Sequence, residues 1–199
     1  MIEQHPNWEK YARVVSDKCF DCIQPEHRVL EVGPNVGSFT RLIIDKNPTF
    51  LELVEPDPLS CDYLRRLCSD RVLLRKESIF DLLPTYRKGE FDVVVAFGVL
   101  YHWSSPFDFL EQIVNNIQPQ YLCLDNPNND QIIAKDEDLN TPGNLFTDKH
   151  AVGISLHLPP DLITKAMQNL GYKQLLKRQM SYFQVTNKEQ SWIWKFERI

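Results

Sequence analysis

Apolar residues recur along the chain with two spacings, one typical of helices and one typical of strands. Between residues 7 and 23 they fall every three or four positions, which predicts an amphipathic helix. Short β-branched and aliphatic runs follow, most of them succeeded by a turn and a helical pattern. The pattern predicts strands at 28–32, 50–54, 71–74, 91–97 and 121–124, a helix at 160–170, and closing strands at 174–183 and 191–197. This alternation predicts a doubly wound α/β sheet.

Two segments fall outside the alternation of strands and helices. Residues 126–158 form an irregular stretch rich in Asn, Asp and Gly, and loops of this length in a compact domain are usually functional. We therefore expect this stretch to be a lid on the substrate side. The N-terminal segment, residues 1–24, is expected to be a helical cover. The whole chain, residues 1–199, is predicted to be a single domain.

The composition narrows the class of protein. With 43% hydrophobic and 25% charged residues, the chain is too apolar to be disordered. Its longest apolar run, residues 93–101, is far shorter than the roughly 18 residues that span a membrane, and residues 1–6 lack the features of a secretory signal. These features predict a cytoplasmic protein without a membrane partner.

The five cysteines do not form a recognisable framework. Their odd number and wide spacing argue against a set of disulfides. Cys19 and Cys22 have C-x-x-C spacing, but they lie on one face of the predicted helix and no second pair occurs at metal spacing. No metal site is predicted.

The formal net charge of −5 argues against nucleic-acid binding, because neutralising phosphates requires a surplus of Lys and Arg on at least one face. One basic stretch, residues 65–88, departs from this acidic balance. It is either a local positive patch or an ordinary solvated face. Nucleic acid is therefore not the expected partner.

The turn after the first predicted strand carries the chemistry of a ligand site. Gly33 permits a tight bend, and Gly37 allows backbone to approach a ligand closely. Glu31 precedes this turn, and a carboxylate there would repel a pyrophosphate but suits a ligand with an ammonium or sulfonium group. Glu55, at the end of the second strand, is placed to accept hydrogen bonds from both hydroxyls of a ribose.

Three stretches in order resemble the motifs of the class I S-adenosylmethionine-dependent methyltransferases. They are VLEVGPNVGSFT at 29–40, LVEPD at 53–57, and FDVVVAFGVLYH at 91–102 followed by Ser105-Pro106. The resemblance covers roughly residues 25–125. It implies a mostly parallel seven-stranded sheet with an antiparallel last strand and helices on both faces. S-adenosyl-L-methionine is the implied cofactor.

The resemblance also implies positions for the parts of the cofactor. The residues implied are Glu31, Gly33, Asn35 and Gly37 around the methionine portion, Glu55 and Pro56 at the ribose, Ser78 and Ile79 beside adenine, and Phe97 and Gly98 near the transferred methyl. Asn35 stands where the family has its middle glycine. Where the family often has an Asp that contacts the adenine amino group, this chain has Ser78, with Glu77 as the alternative.

Methyl transfer is an in-line displacement that needs an aligned acceptor, and a base where that acceptor carries a proton. His102 is the candidate base, although a buried histidine capping the following helix is an equal alternative. Tyr101 is the second candidate catalytic residue. Tyr101 and Trp103 are either aromatic walls near the cationic sulfur or plain core residues. His150 and His157 are either acceptor contacts or loop residues.

The predicted function is methyl transfer to an unidentified, small-molecule acceptor. One alternative is a non-catalytic S-adenosylmethionine-binding or interaction subunit. A further alternative is an NAD-dependent oxidoreductase, since Glu55 would also suit NAD. Glu31 argues against NAD, and so does the lack of a Tyr-x-x-x-Lys pair to donate a proton to a carbonyl. The methylated element and the oligomeric state are left open.

Overall fold

A seven-stranded sheet forms the centre of the computed structural model, which describes residues 8–103, 105–127, 133–136, 154–181 and 190–199. The strands are β1 Arg28–Val32, β2 Phe50–Val54, β3 Val72–Arg75, β4 Val93–Ala96, β5 Tyr121–Pro127, β6 Ile133–Asp136, β7 Ile154–His157, β8 Tyr172–Ser181 and β9 Gln190–Arg198. The order in the large sheet is β3-β2-β1-β4-β5-β9-β8. Strands β1 to β5 are parallel, while β9 is antiparallel to both β5 and β8. The predicted sheet, with its antiparallel last strand, is confirmed.

Helices cover both faces of this sheet, as predicted. They are α1 Trp8–Val14, α2 Ser38–Ile44, α3 Pro58–Leu64, α4 Ile79–Leu82, α5 Pro106–Asn116 and α6 Pro160–Asn169. The N-terminal helix changes its winding after α1, continuing as a π-helix over Val15–Cys19 and a 3-10 turn over Phe20–Cys22. Because Val15, Cys19 and Phe20 are all fully buried, this segment packs tightly on the sheet.

Alternating side chains of the strands divide the core in two. On one face, Leu30, Val94 and Leu122 pack with residues of α4, α5 and α6. On the other face, Val95 and Cys123 pack with the N-terminal segment, α2 and α3. Strands covered on both faces are apolar throughout, which explains why β4 is so hydrophobic.

Helix α3 forms where the apolar pattern places it, but a different side of the helix faces the sheet. Leu59 and Tyr63 are 56% and 53% exposed, whereas Ser60 and Leu64 are buried. The Asp57 side chain caps the helix by accepting a hydrogen bond from the Ser60 backbone N–H at 2.7 Å. The cap satisfies a backbone N–H at the start of the helix, and Leu64 rather than Tyr63 packs into the core.

The stretch 126–158 is not irregular throughout. Strand β5 continues to Pro127, and β6 pairs antiparallel with β7 in a separate two-stranded sheet that joins Ile133 to His157. Strand β7 packs against the 3-10 turn Leu100–His102 that follows β4. Much of the predicted lid, including His150, lies outside the described residues.

A search of the described helices for a long, apolar membrane span found none.

Candidate active site

The turn between β1 and α2 has a backbone that few residues tolerate. Gly33, Asn35 and Gly37 have φ values of +64°, +52° and +84°. A Cβ atom on Gly33 would lie 2.2 Å from Val99 Cγ1, and one on Gly37 would lie 2.7 Å from Leu67 Cδ1. Glycine is therefore required at both positions, while Asn35 adopts a left-handed conformation that Asn accepts more readily than most residues.

The Glu55 carboxylate joins the end of β2 to this turn. Its Oε2 accepts a hydrogen bond from the Asn35 backbone N–H at 2.9 Å, and its Oε1 accepts one from the Asp57 N–H at 2.9 Å. Glu55 is buried, so these bonds form in a poorly solvated environment. The acidic residue predicted to bind ribose thus also organises the turn.

Glu31 is a buried carboxyl group beside Glu55. Thr40 Oγ1 donates a hydrogen bond to Glu31 Oε2 at 2.7 Å. Burial raises the pKa of Glu31 to about 8, the hydroxyl of Thr40 opposes this, and the charge of Glu55 raises the pKa further. None of these influences is a cation, so a positively charged ligand would be strongly favoured here.

A third buried carboxyl group lies at the carboxyl end of β5. The Gly98 backbone N–H donates a hydrogen bond to Asp125 Oδ1 at 2.5 Å, and burial raises the pKa of Asp125 to about 7. Asp125 is not among the site residues that the sequence predicts. Its position at the end of a parallel strand could have indicated a role in the site, because ligands in open α/β sheets bind at that edge.

Phe97, which precedes Gly98, is the centre of a cluster of aromatic rings. Its ring stacks on Phe20 with centroids 5.4 Å apart and meets Phe39 edge-on at 5.0 Å. The N-terminal segment and α2 are thereby both held against the end of β4. Gly98 itself has φ +73°, and a Cβ there would meet only Tyr101 Oη, at 3.8 Å.

The predicted adenine residues lie at the end of β3. Ser78 is buried and caps α4, its Oγ accepting a hydrogen bond from the Phe80 N–H at 3.3 Å. Ile79 is also buried, and Pro56 is half-buried in the neighbouring turn. These residues therefore line the same edge of the sheet as Glu55.

The adjacent residues Tyr101 and His102 lie beside His157, which is 55 positions further along the chain. The rings of Tyr101 and His102 are 4.2 Å apart, and those of Tyr101 and His157 are 6.1 Å apart. All three side chains are half-buried. Trp103 belongs instead to the core, where it packs on Phe109 at 4.1 Å.

Buried polar atoms at this edge fit a polar ligand. Ser38 Oγ, Asp57 Oδ1 and Asn126 Oδ1 are buried and have no hydrogen-bond partner among the described residues. Such atoms cost free energy unless a ligand or water satisfies them. Ser38 begins α2, Asp57 follows Glu55, and Asn126 follows Asp125. Within the described residues, no three His, Cys, Asp or Glu side chains are grouped as a metal site.

Comparison with known proteins agrees with this arrangement. Residues 3–177 match the methyltransferase domain family. The tRNA U34 carboxymethyltransferase of Syntrophotalea carbinolica is 32% identical over 96 residues, which are 46% of this chain and 29% of that protein. The chain therefore spans less than a third of the matched relative's length.

Several solved structures share the fold. The N-terminal domain of EvdMO1, crystallised with SAH and D-fucose, has a TM-score of 0.69 at 18% identity, covering 98% of this chain and 84% of that one. The 1,6-didemethyltoxoflavin-N1-methyltransferase of Burkholderia thailandensis, with bound S-adenosylhomocysteine, has a TM-score of 0.71 at 9% identity, covering 98% and 80%. The [4+2]-cyclase SpnF has a TM-score of 0.69 at 14% identity, covering 96% and 81%. Proteins of this fold therefore differ in their reactions.

Proposed function

We propose that this chain, which belongs to the methyltransferase domain family, uses S-adenosylmethionine to methylate a small molecule at the carboxyl-terminal edge of its parallel strands. The observation that carries this proposal is the buried pair Glu31 and Glu55 beside a left-handed turn. The groups that shift the pKa of Glu31 include a second carboxylate, Glu55, and no cation. Such a pair of carboxyl groups favours a ligand with positive charge. The same pair disfavours the pyrophosphate of NAD.

The residues at this edge fit the parts of S-adenosylmethionine. Glu31 and the turn of Gly33, Asn35 and Gly37 would hold the methionine portion. The orphaned Ser38 Oγ and Asp57 Oδ1 add a donor and an acceptor nearby. When bound, the cofactor supplies a methyl group on a cationic sulfur, which is an electrophile for an aligned acceptor.

Glu55 retains the capacity to bind a ribose although its carboxylate is already engaged. Each oxygen accepts one backbone N–H, and a carboxylate has about four lone-pair sites in all. Ribose hydroxyls would donate to the remaining sites. Ser78, Ile79 and Pro56 would then flank the base, since they line the adjoining strand end and turn.

The acceptor would bind on the side of Gly98 away from Glu55. In the strand order β2-β1-β4-β5, Glu55 follows β2 and Asp125 lies on β5, while Tyr101 and His102 follow β4. Tyr101 and His102 would position the acceptor, with His102 as its base. Asp125, whose pKa is raised to about 7, is a second group that can hold a proton near neutral pH.

Calorimetry with S-adenosylhomocysteine and NAD tests the cofactor site. We expect micromolar binding of S-adenosylhomocysteine and none of NAD. Glu55→Ala should weaken binding at least tenfold, because charge-assisted hydrogen bonds contribute about 1.5–3 kcal/mol each. Glu111→Ala removes an exposed carboxylate on α5, outside the proposed cofactor site, and should leave the affinity unchanged. Binding of NAD alone would refute the proposal.

An RNA acceptor is the second candidate, and one relative and one surface favour it. The matched curated relative is named for a tRNA. Tyr63 is 53% exposed on α3, next to the exposed Arg65 and Arg66. Exposed aromatic and Arg side chains bind unstacked bases and phosphates. The test is methyl transfer from labelled cofactor to bulk tRNA. Transfer that is abolished in the double variant Tyr63→Ala/Arg66→Glu would support an RNA acceptor. Transfer only to metabolites would support a small-molecule acceptor.

A further inference from the structure

Two thiols meet in the core on the N-terminal side of the site. Cys22 Sγ and Cys123 Sγ are 3.9 Å apart, although 101 positions separate them in the sequence. Both thiols also point at the carbonyl oxygen of Cys19, at 3.3 Å and 3.5 Å. The two sulfur atoms therefore need to approach by about 1.9 Å to reach the length of a disulfide bond.

Cys22 is reachable from solvent. It lines an open cleft of about 320 Å³ together with Asp21, His27, Tyr121 and Lys195. Cys123 lies behind it, fully buried in β5. An oxidant entering the cleft thus reaches Cys22 first, and Cys123 is already in place to resolve the oxidised sulfur.

The turn that carries Cys22 connects this cleft to the active-site edge. Within the same 3-10 turn, Asp21 pairs with the Lys195 ammonium on β9, and Phe20 stacks on Phe97. Phe97 immediately precedes Gly98. Fixing Cys22 to β5 would therefore hold the N-terminal segment against the sheet next to the cofactor edge.

The geometry points to Cys22 and Cys123 as a reversible, peroxide-oxidised disulfide pair that clamps the N-terminal helical segment onto β5. In the first step the Cys22 sulfur attacks the O–O bond of hydrogen peroxide, giving a sulfenic acid and water. In the second step the Cys123 sulfur attacks the Cys22 sulfur, forming the S–S bond and releasing a second water. Two thiols are oxidised and one peroxide is reduced to two waters.

The pKa of Cys22 influences the rate of this oxidation. The contact between the thiols and their burial raise the pKa of Cys22, while the Lys195 ammonium lowers it. The thiolate is the reactive form, so the raised pKa slows oxidation of Cys22.

Peptide mapping of the Cys68→Ser protein, which lacks the exposed thiol, tests the proposal. After overnight peroxide treatment and blocking of free thiols, a peptide linking residues 22 and 123 is expected, and dithiothreitol should release it. Closing so long a loop should raise the melting temperature by about 10 °C. Hydrogen exchange of residues 11–22 should slow at the same time.

Two variants serve as controls. Cys22→Ser, at a half-exposed position, should lose the linked peptide and the stabilisation, whereas Cys61→Ser should retain both. A link between Cys19 and Cys123, absence of any link, or a 22–123 link without slower exchange would each overturn the proposal. Because the readouts involve no cofactor or acceptor, their outcome is independent of the proposed methyl transfer.

Discussion

At the scale of single residues, the site is built from carboxyl groups placed where burial opposes their charge. Glu31 and Asp125 both have raised pKa values, and in both cases burial is the main cause. A group held in this way favours a cationic ligand, because the ligand compensates for the hydration that the carboxylate has lost. The same burial makes the ligand-free protein sensitive to pH.

The stability of the ligand-free protein should fall as pH rises toward 8. Glu31 is ionised above pH 4.5 in the unfolded chain but only above about 8 in the folded one, so the folded state binds the extra proton over this window. Linkage then lowers the free energy of unfolding by an amount on the order of a few kcal/mol across it. Glu31→Gln should reduce this slope, leaving the part that is due to Asp125.

Urea unfolding at pH 5, 6.5 and 8 measures the effect. Asp125→Asn is the matched variant, since Asp125 titrates in the same direction, with its pKa raised to about 7. At pH 8 we expect Glu31→Gln to be more stable than the natural protein and to bind S-adenosylmethionine more weakly. Identical pH slopes for the natural protein and Glu31→Gln would contradict the assignment.

At the scale of elements, the β1–α2 turn and α3 show how tightly backbone and packing are coupled. The Glu55 carboxylate supports the turn, and Asp57 caps the helix that follows. Gly33 has no room for a side chain, because Val99 lies against its Cα. Gly89 also has a positive φ, of +76°, but a Cβ there would meet no atom of the described residues within 4 Å.

Alanine at these two glycines should separate backbone strain from steric overlap. Gly89→Ala should lower the free energy of unfolding by about 1 kcal/mol, because alanine is strained in the left-handed conformation. Gly33→Ala adds an overlap with Val99 and should cost roughly 3 kcal/mol. Thermal or urea unfolding measures both. Adding Val99→Ala to Gly33→Ala should recover part of the lost stability. If it recovers none, the overlap with Val99 is not the cause of the loss.

At the scale of the whole molecule, helices cover both faces of the sheet, and the candidate site lies at the carboxyl ends of its parallel strands. The N-terminal segment covers one face near Phe97, and β7 packs on the turn that carries Tyr101 and His102. These are the ends of the two segments expected to be a cover and a lid. Excluding water at this edge would aid alignment of the acceptor.

Hydrogen exchange with and without S-adenosylhomocysteine tests the cover and the lid. We expect residues 1–22 and 126–158 to gain protection on binding, together with the Gly33 turn. The exposed end of α3 provides an internal reference that should not change. Protection confined to the Gly33 turn would mean that the acceptor enters an open site, as a macromolecular substrate would.

The sequence by itself determined the strands of the large sheet, the glycine turn and two carboxylates, Glu31 near the end of β1 and Glu55 directly after β2. These features depend on neighbouring residues, because strand periodicity, left-handed turns and acidic strand ends are local signals. The predicted irregularity of 126–158 was wrong where β6 pairs with β7, since that pairing depends on residues about 20 positions apart. The winding change after α1 was likewise not evident from periodicity.

Only the tertiary structure decided which distant groups meet. Asp125 reaches Gly98 because β4 and β5 are neighbours, and Cys22 reaches Cys123 because the N-terminal segment folds back over β5. Tyr63 is exposed because α3 packs on the sheet through Leu64, on a different side of the helix from the apolar pattern. Each of these contacts joins segments through packing and hydrogen bonds in three dimensions, which the local order of residues does not encode.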